Sequence, residues 1–227
     1  KSPRSSRGHV RGEDSDSVAQ RRDLASDAPK ASPFWVKVDA LVQSNQPVRL
    51  HLGCGEVHLD GYLNVDFPPS QHSVQRNSVA DLLADITHLS LPASVVDEIR
   101  LHHVFEHFDR PTALALLCNW QQWLKPGGIL HIETPDYAAA AHKSLSDTDF
   151  HTRQVAMRHL FGSHEASWAL HYDGWYEEKF SLTLAALGFE NLRFERSQWN
   201  ALDNLTVWAQ KAGGFALPQL RLSAQRL

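Results

Sequence analysis

The sequence predicts an α/β domain with a doubly wound, mostly parallel sheet closed by an antiparallel hairpin. Three observations predict it. Short apolar strand segments alternate with amphipathic helical stretches from Val48 to Leu187. A Gly-x-Gly turn, Gly53-Cys54-Gly55, directly follows the first strand segment. Two strand-like segments near the end, Leu192 to Phe194 and Leu205 to Trp208, are joined by a turn around Asn200 to Asn204. A sheet of this kind binds ligands at the carboxyl ends of its strands.

The elements follow in order. From Lys1 to about Ser32 the chain is rich in Ser, Arg, Asp and Gly and nearly empty of large apolar residues. Such a segment cannot bury enough surface to offset its ordering entropy, so residues 1–32 read as a disordered lead. Phe34, Trp35, Val38, Leu41 and Val42 stand at helical spacing and predict an edge helix over Pro33 to Ser44. Val48 to Leu52 and Tyr62 to Phe67 are strands with room between them only for a loop or single turn. A weak third strand is expected near Leu82 to Ile86, and a fourth at Glu98 to His102. The next helix has Asp109 as N-cap, Pro111 in its first turn and an apolar face of Leu114, Leu117, Trp120 and Leu124, with Pro126-Gly127-Gly128 as its stop. Ile129 to Ile132 is the fifth strand, the stretch to Phe161 is mainly helical, and a last helix from about Trp175 to Leu187 ends at the left-handed cap Gly188. The domain is expected to span residues 33–212, with residues 213–227 a loosely attached tail.

Composition bounds the function. A chain of 227 residues, 42% hydrophobic, accommodates one catalytic-size domain. With 22 basic and 26 acidic residues the net charge is -4, which provides no footprint for a phosphate backbone; nucleic acid is not expected as a partner. The 2 cysteines, Cys54 and Cys118, make no disulfide framework, which fits a reducing, cytoplasmic setting. No apolar run approaches the roughly 20 residues of a membrane span, and the first residues lack the apolar stretch of a signal peptide. The chain opens on Lys1 rather than methionine, which suggests trimming or excision from a larger polypeptide.

A glycine pair at a strand tip lets a ligand approach the backbone because no Cβ blocks it. A purely structural turn explains that pair equally well, so its value depends on what stands downstream. Asp66 ends the next strand, where a carboxylate can accept both hydroxyls of a ribose. At Asp85-Ile86 a side-chain acceptor and a backbone donor could read the edge of an adenine, although Asp85 also suits a turn cap.

With these residues in view the sequence resembles the class I S-adenosylmethionine-dependent methyltransferases, in particular the small-molecule type 11 group. The resemblance lies in Arg49 to Gly55 (RLHLGCG), Asn64-Val65-Asp66, Ala84 to Pro92 (ADITHLSLP), His102 to Phe108 (HHVFEHF) and Leu124 to Asp136 (LKPGGILHIETPD). It covers roughly Val48 to Gln210 and implies a Rossmann-like fold with S-adenosylmethionine as cofactor. It also implies that Gly53, Cys54 and Gly55 pass under the methionine and ribose parts, that Asp66 holds the ribose, and that Asp85 and the Ile86 backbone contact adenine. His102 and His103, just beyond the fourth strand, are implied to lie near the methionine moiety or the acceptor. The sequence departs from the family in two ways: His51 or Leu50 stands where an acidic residue is usual before Leu52, and the crossover from Gly55 to Asp66 is short.

A nicotinamide-dependent nucleotide-sugar enzyme shares the sheet. However, Val57 and His58 follow the glycines where a third glycine should open a phosphate-binding helix, and no tyrosine has a lysine four positions later. His103 to His107 matches the H-x-x-E-H zinc-protease string, but it follows a strand instead of lying inside a long helix, so no metal is expected there. The aromatic and polar stretch Ser163 to Tyr176 is the candidate acceptor lid. Within and around it, Glu106, Asp136, His171, Tyr172 and Trp175 are candidate acceptor contacts.

The expected activity is methyl transfer to a small-molecule or sugar acceptor, favouring a hydroxyl and with surface-polysaccharide synthesis as a setting. His103 and His107 are the candidate bases, since an imidazole titrates near neutral pH. A non-catalytic S-adenosylmethionine-binding module of a larger glycan-assembly protein is the alternative.

Overall fold

A computed structural model of the chain describes residues 32–68, 78–146, 148–166, 168–199 and 202–227. The expected disordered lead lies outside the described residues up to Ala31, as do Asn200 and Ala201 of the hairpin turn. Strands β1 (Arg49–Leu52), β2 (Leu63–Asp66), β3 (Leu82–Leu83), β4 (Val96–His102), β5 (Leu124–Pro135), β6 (Phe189–Trp199) and β7 (Leu202–Lys211) form a sheet of order β3-β2-β1-β4-β5-β7-β6. The first five are parallel; β7 runs antiparallel to both β5 and β6. This is the Rossmann-like α/β sheet with a closing hairpin.

Each of the two central strands turns one apolar face to the core, with Leu50, Leu52, Ile99 and Leu101 fully buried, while the alternate positions Arg49, His51, Glu98 and Arg100 are polar. Helix α1 (Pro33–Gln43) starts where Ser32 Oγ accepts the Trp35 amide at 3.1 Å, and it buries Phe34 and Val38. Helix α2 (Arg110–Trp123) starts at Asp109, whose carboxylate accepts the Thr112 amide at 2.8 Å. It stops at Trp123, short of Pro126-Gly127-Gly128, because Leu124 already belongs to β5. Helices α3 (Tyr137–Leu145) and α4 (Phe150–Phe161) pack on each other, and α5 (Glu177–Ala186) ends at Gly188, whose φ is 75°.

Four expectations change. The third strand is only Leu82–Leu83; Ile86 lies instead in a 3-10 turn, Ile86–His88, because Asp85 caps that turn through the Thr87 amide. Strand β4 starts at Val96, two residues before its expected start, because buried Val96 already pairs with Leu124, and it ends at His102 as expected. Both hairpin strands are far longer than their apolar centres, since cross-strand pairing carries the polar ends along. The tail is not loose: helix α6 (Leu217–Ala224) packs on α2 and α5 and buries Leu220 completely. The Gln122 side chain also donates to the Phe215 carbonyl at 3.0 Å.

The short crossover between β1 and β2 is held by Asn64, which is fully buried. Its Oδ1 accepts from the Leu59 amide and from His51 Nδ1, both at 3.0 Å, while Nδ2 donates to the Leu59 carbonyl and to Asp81. One amide side chain thus ties the loop to two strands where a helix would otherwise span them. Cys54 and Cys118 are buried free thiols, and among the described residues no helix is long and apolar enough to cross a membrane.

Candidate active site

A cavity of about 540 Å³ opens at the carboxyl ends of β1, β2 and β4. Its size falls within the range of small-molecule sites. The loop after β1 contributes Gly53, Cys54 and Gly55, β2 contributes Asp66, and Ile86 closes one side. His102, His103 and His107 form the wall beyond β4. The two glycines differ. A Cβ on Gly53 would meet Val104 Cγ2 at 2.4 Å, whereas one on Gly55 would meet nothing within 4 Å. Gly53 therefore serves the packing of the loop, whereas among the described residues nothing packs against the Cβ position of Gly55.

Asp66 is buried and organises the loop opposite. Its Oδ2 accepts the Gly55 amide at 2.6 Å and its Oδ1 accepts its neighbour's amide, that of Phe67, at 2.7 Å. The Cys54 thiol is pushed up to about 12 by burial and by the charge of Asp66, so it is no nucleophile near neutral pH. Asp85 does not line the cavity. Its oxygens are taken by the Thr87 amide and hydroxyl and by His88, and these hydrogen bonds keep its carboxyl below the ordinary range despite partial burial. Ile86 remains at the cavity while its expected partner points to its own turn.

The histidine wall rests on two carboxylates. Glu133 of β5 is paired in register with His102, and its Oε2 stands 3.1 Å from His102 Nε2. His103 has φ 51°, a left-handed conformation costly for a branched ring side chain. Its amide donates to the Glu133 carbonyl at 3.0 Å, its Nε2 lies 3.4 Å from Glu133 Oε1 and its Nδ1 lies 3.3 Å from Glu106 Oε1. Burial works against its charge, but hydrogen bonds and attraction from Glu106 and Glu133 outweigh burial and push its pKa to about 10. Both ring nitrogens of His103 face carboxylates that favour its charged form, which weighs against its expected role as base. Both carboxyls answer in the opposite direction: burial raises each, and the histidine contacts pull each below the ordinary range.

His107 differs. Its Nδ1 donates to the Leu170 carbonyl at 2.9 Å, since a carbonyl can only accept, and the lone pair of the neutral ring is then on Nε2. His171 packs edge-on against it at 4.9 Å and is fixed the same way, with Nδ1 donating to the His159 carbonyl at 2.8 Å.

The other expected acceptor contacts lie off the cavity. Trp175 is 1% exposed, its ring stacked on Phe180 and tilted against Phe105, both at 4.8 Å, with Lys179 over its face at 4.1 Å. It is a core residue. Asp136 is buried as the N-cap of α3, accepting the Ala138 and Ala139 amides and pairing with Arg196 at 3.1 Å. Tyr172 is exposed, its amide donating to the Glu106 carbonyl at 2.9 Å. Glu106 is buried behind His107 rather than facing the cavity. Among the described residues of the expected lid, only Trp168 reaches the cavity wall. His51, Arg100 and Glu56 also line it without having been expected, and so does Phe108. For His51 the signal was its place in the strand just before the glycine turn; for Glu133 it was the parallel register, which no single segment displays.

Residues 50–132 match the family model described as a methyltransferase domain. Among solved structures, the chain is similar to a SAM-dependent methyltransferase from Archaeoglobus fulgidus, at 14% identity over 78% of this chain and 94% of that one, with a TM-score of 0.51. It is also similar to a possible exported protein from Bordetella parapertussis, at 20% identity over 78% of this chain and 66% of that one, with a TM-score of 0.48. A third is the 1,6-didemethyltoxoflavin-N1-methyltransferase of Burkholderia thailandensis, bound to its named ligand and S-adenosylhomocysteine, at 15% identity over 82% and 93%, with a TM-score of 0.47. At these identities the likeness is one of fold. The chain has no significant match among curated proteins.

Proposed function

We propose that the chain is a class I S-adenosylmethionine-dependent methyltransferase and that it methylates a hydroxyl of a small-molecule or sugar acceptor in the cavity described above. Surface-polysaccharide synthesis is the proposed setting. The observation that carries the reading is the juxtaposition of a glycine-floored, Asp66-edged cradle with a histidine wall across one cavity.

The residues suit the cofactor. The glycine turn at Gly55, the Asp66 carboxylate at the tip of β2 and the apolar side of Ile86 line one cavity and fit a nucleoside lying along the strand tips. When bound, the cofactor supplies a methyl group already activated by its sulfonium. Gly53, Cys54 and Gly55 would line its path, Asp66 would accept its ribose hydroxyls and His102 would border the methionine part. His102 and Glu133, 3.1 Å apart, would orient the opposite side. Alignment and exclusion of water by Phe108 and Trp168 are the main work of the protein; positioning of this kind can supply about 7 to 11 kcal/mol. The hydroxyl proton falls to His107, whose Nδ1 is spent on the Leu170 carbonyl so that Nε2 is left to accept it, while both nitrogens of His103 face carboxylates.

The test is calorimetry with S-adenosylhomocysteine, followed by transfer from radiolabelled S-adenosylmethionine to a panel of sugars and phenols. Asp66→Ala is expected to weaken cofactor binding at least tenfold, since hydrogen bonds to a charged group are worth about 1.5 to 3 kcal/mol. Heat from NADH with none from S-adenosylhomocysteine would overturn the assignment. Binding without turnover on any acceptor would favour a non-catalytic module.

A further inference from the structure

We propose that Glu106, His107 and His171 form a binding site for one divalent transition-metal ion, set into the wall of the cavity. One donor atom from each of the three lies within 4.8 Å of the others. Donors around a tetrahedral ion with bonds of about 2.1 Å stand about 3.4 Å apart, so the ion would draw this set inward by up to about 1.4 Å.

Two features make the group more than a chance cluster. Both imidazoles spend their Nδ1 hydrogen on a backbone carbonyl, His107 on Leu170 and His171 on His159. That arrangement fixes the lone pairs on the two Nε2 atoms, and it is the support that metal-binding histidines commonly receive from their surroundings. Meanwhile Glu106 Oε2 is buried with no hydrogen-bond partner, although Oε1 is engaged by His103. A buried carboxylate oxygen left alone is costly. One donor atom of each of the three residues lies within 4.8 Å of the others, so a single cation drawing them together would satisfy the lone pairs and the orphaned carboxylate oxygen. Two nitrogens and one oxygen suit Zn²⁺, Co²⁺, Ni²⁺ or Fe²⁺ better than Mg²⁺ or Ca²⁺, which prefer oxygen ligands.

The H-x-x-E-H string is misleading here because its first histidine belongs elsewhere. His103 pairs with Glu106 and Glu133, and the second imidazole comes from His171, brought in by the fold-back in which Gly162 bridges Leu170. His107 also lines the large cavity, so the ion would border the acceptor space. Only the catalytic consequence rests on the proposed methyl transfer: the ion would polarise the acceptor hydroxyl, and His107 would act as ligand in place of base.

The experiment uses the full chain, stripped with chelator and titrated with Co²⁺ at pH 7.5 by visible absorption and calorimetry. One equivalent is expected to bind with a saturating d–d band that Zn²⁺ abolishes by competition. His171→Gln and Glu106→Gln should each weaken Co²⁺ binding at least tenfold. Melting of each metal-free variant verifies its fold, and His171→Gln, at a less buried position, carries the test if Glu106→Gln does not fold. The absence of saturable binding, or binding in folded His171→Gln equal to wild type, overturns the site. S-adenosylhomocysteine binding is measured on the same preparations: its absence beside variant-sensitive Co²⁺ binding would sink the methyl-transfer reading and leave the ion site standing.

Discussion

Gly53→Ala isolates the packing that shapes the cofactor loop. Two costs add at this position. The backbone has φ +71°, where a residue with a Cβ is disfavoured by about 1 to 2 kcal/mol. The new methyl would also stand 2.4 Å from Val104 Cγ2 and 3.1 Å from Cγ1. Valine is stiff about χ1, so relief requires the backbone to move, and overpacking of this kind costs about 1 to 3 kcal/mol. The sum is about 2 to 5 kcal/mol, which lowers Tm by at least about 4 °C in a domain of this size. Gly55→Ala is the internal control: its φ is +57° and its Cβ would touch nothing within 4 Å, so only the conformational cost of about 1 to 2 kcal/mol applies.

The assay is urea unfolding of Gly53→Ala, Val104→Ala and the double mutant, with S-adenosylhomocysteine calorimetry on each. Trimming Val104 removes the clash but not the backbone cost. The double mutant should therefore be more stable than the sum of the singles by at least about 1 kcal/mol. Both residues line the cavity, so ligand affinity should fall in Gly53→Ala and partly recover in the double mutant. A loss under about 1 kcal/mol in Gly53→Ala, or additivity within about 0.5 kcal/mol, would refute the packing argument.

Two further outcomes follow from the same structure. Trp175→Ala should cost about 3 to 5 kcal/mol in chemical denaturation, because a buried indole between Phe105 and Phe180 leaves a large cavity; a variant of wild-type stability that loses only turnover would return Trp175 to the acceptor site. His131 is 5% exposed and stacks on Trp208, and burial, aided by Arg100 and His102, lowers its pKa from 6.5 to about 4. The folded state thus resists protonation: its stabilising share is complete above pH 6.5 and is lost as pH falls toward 4, by at most about 3 kcal/mol. His51, lowered likewise by burial, acts in the same direction, so the measurement is the difference in unfolding free energy between wild type and His131→Gln across pH 4 to 8. A difference that does not change with pH would contradict the burial argument.

What the sequence displayed and what it concealed divide along one physical line. Features set by neighbours in the chain were legible: Asp109 caps α2, Gly188 ends α5, and the strand tip at Gly53 to Gly55 leads to Asp66. So were the strand centres, because the alternating apolar positions, Leu50 and Leu52 in one strand and Ile99 and Leu101 in the other, face the core. Features set by pairing across the sheet or by packing of distant segments were not. Nothing local distinguishes Glu133 from any strand glutamate until the β4–β5 register sets it beside His102. The amphipathic α6 carries a single fully buried leucine, too weak a pattern to separate from a tail until α2 and α5 supply its partner surface. Trp175 and His171 are only four residues apart in an aromatic loop, yet one fills the core and the other meets His107. Composition marked that loop as chemically capable; only the fold decides which of its side chains have chemistry to do.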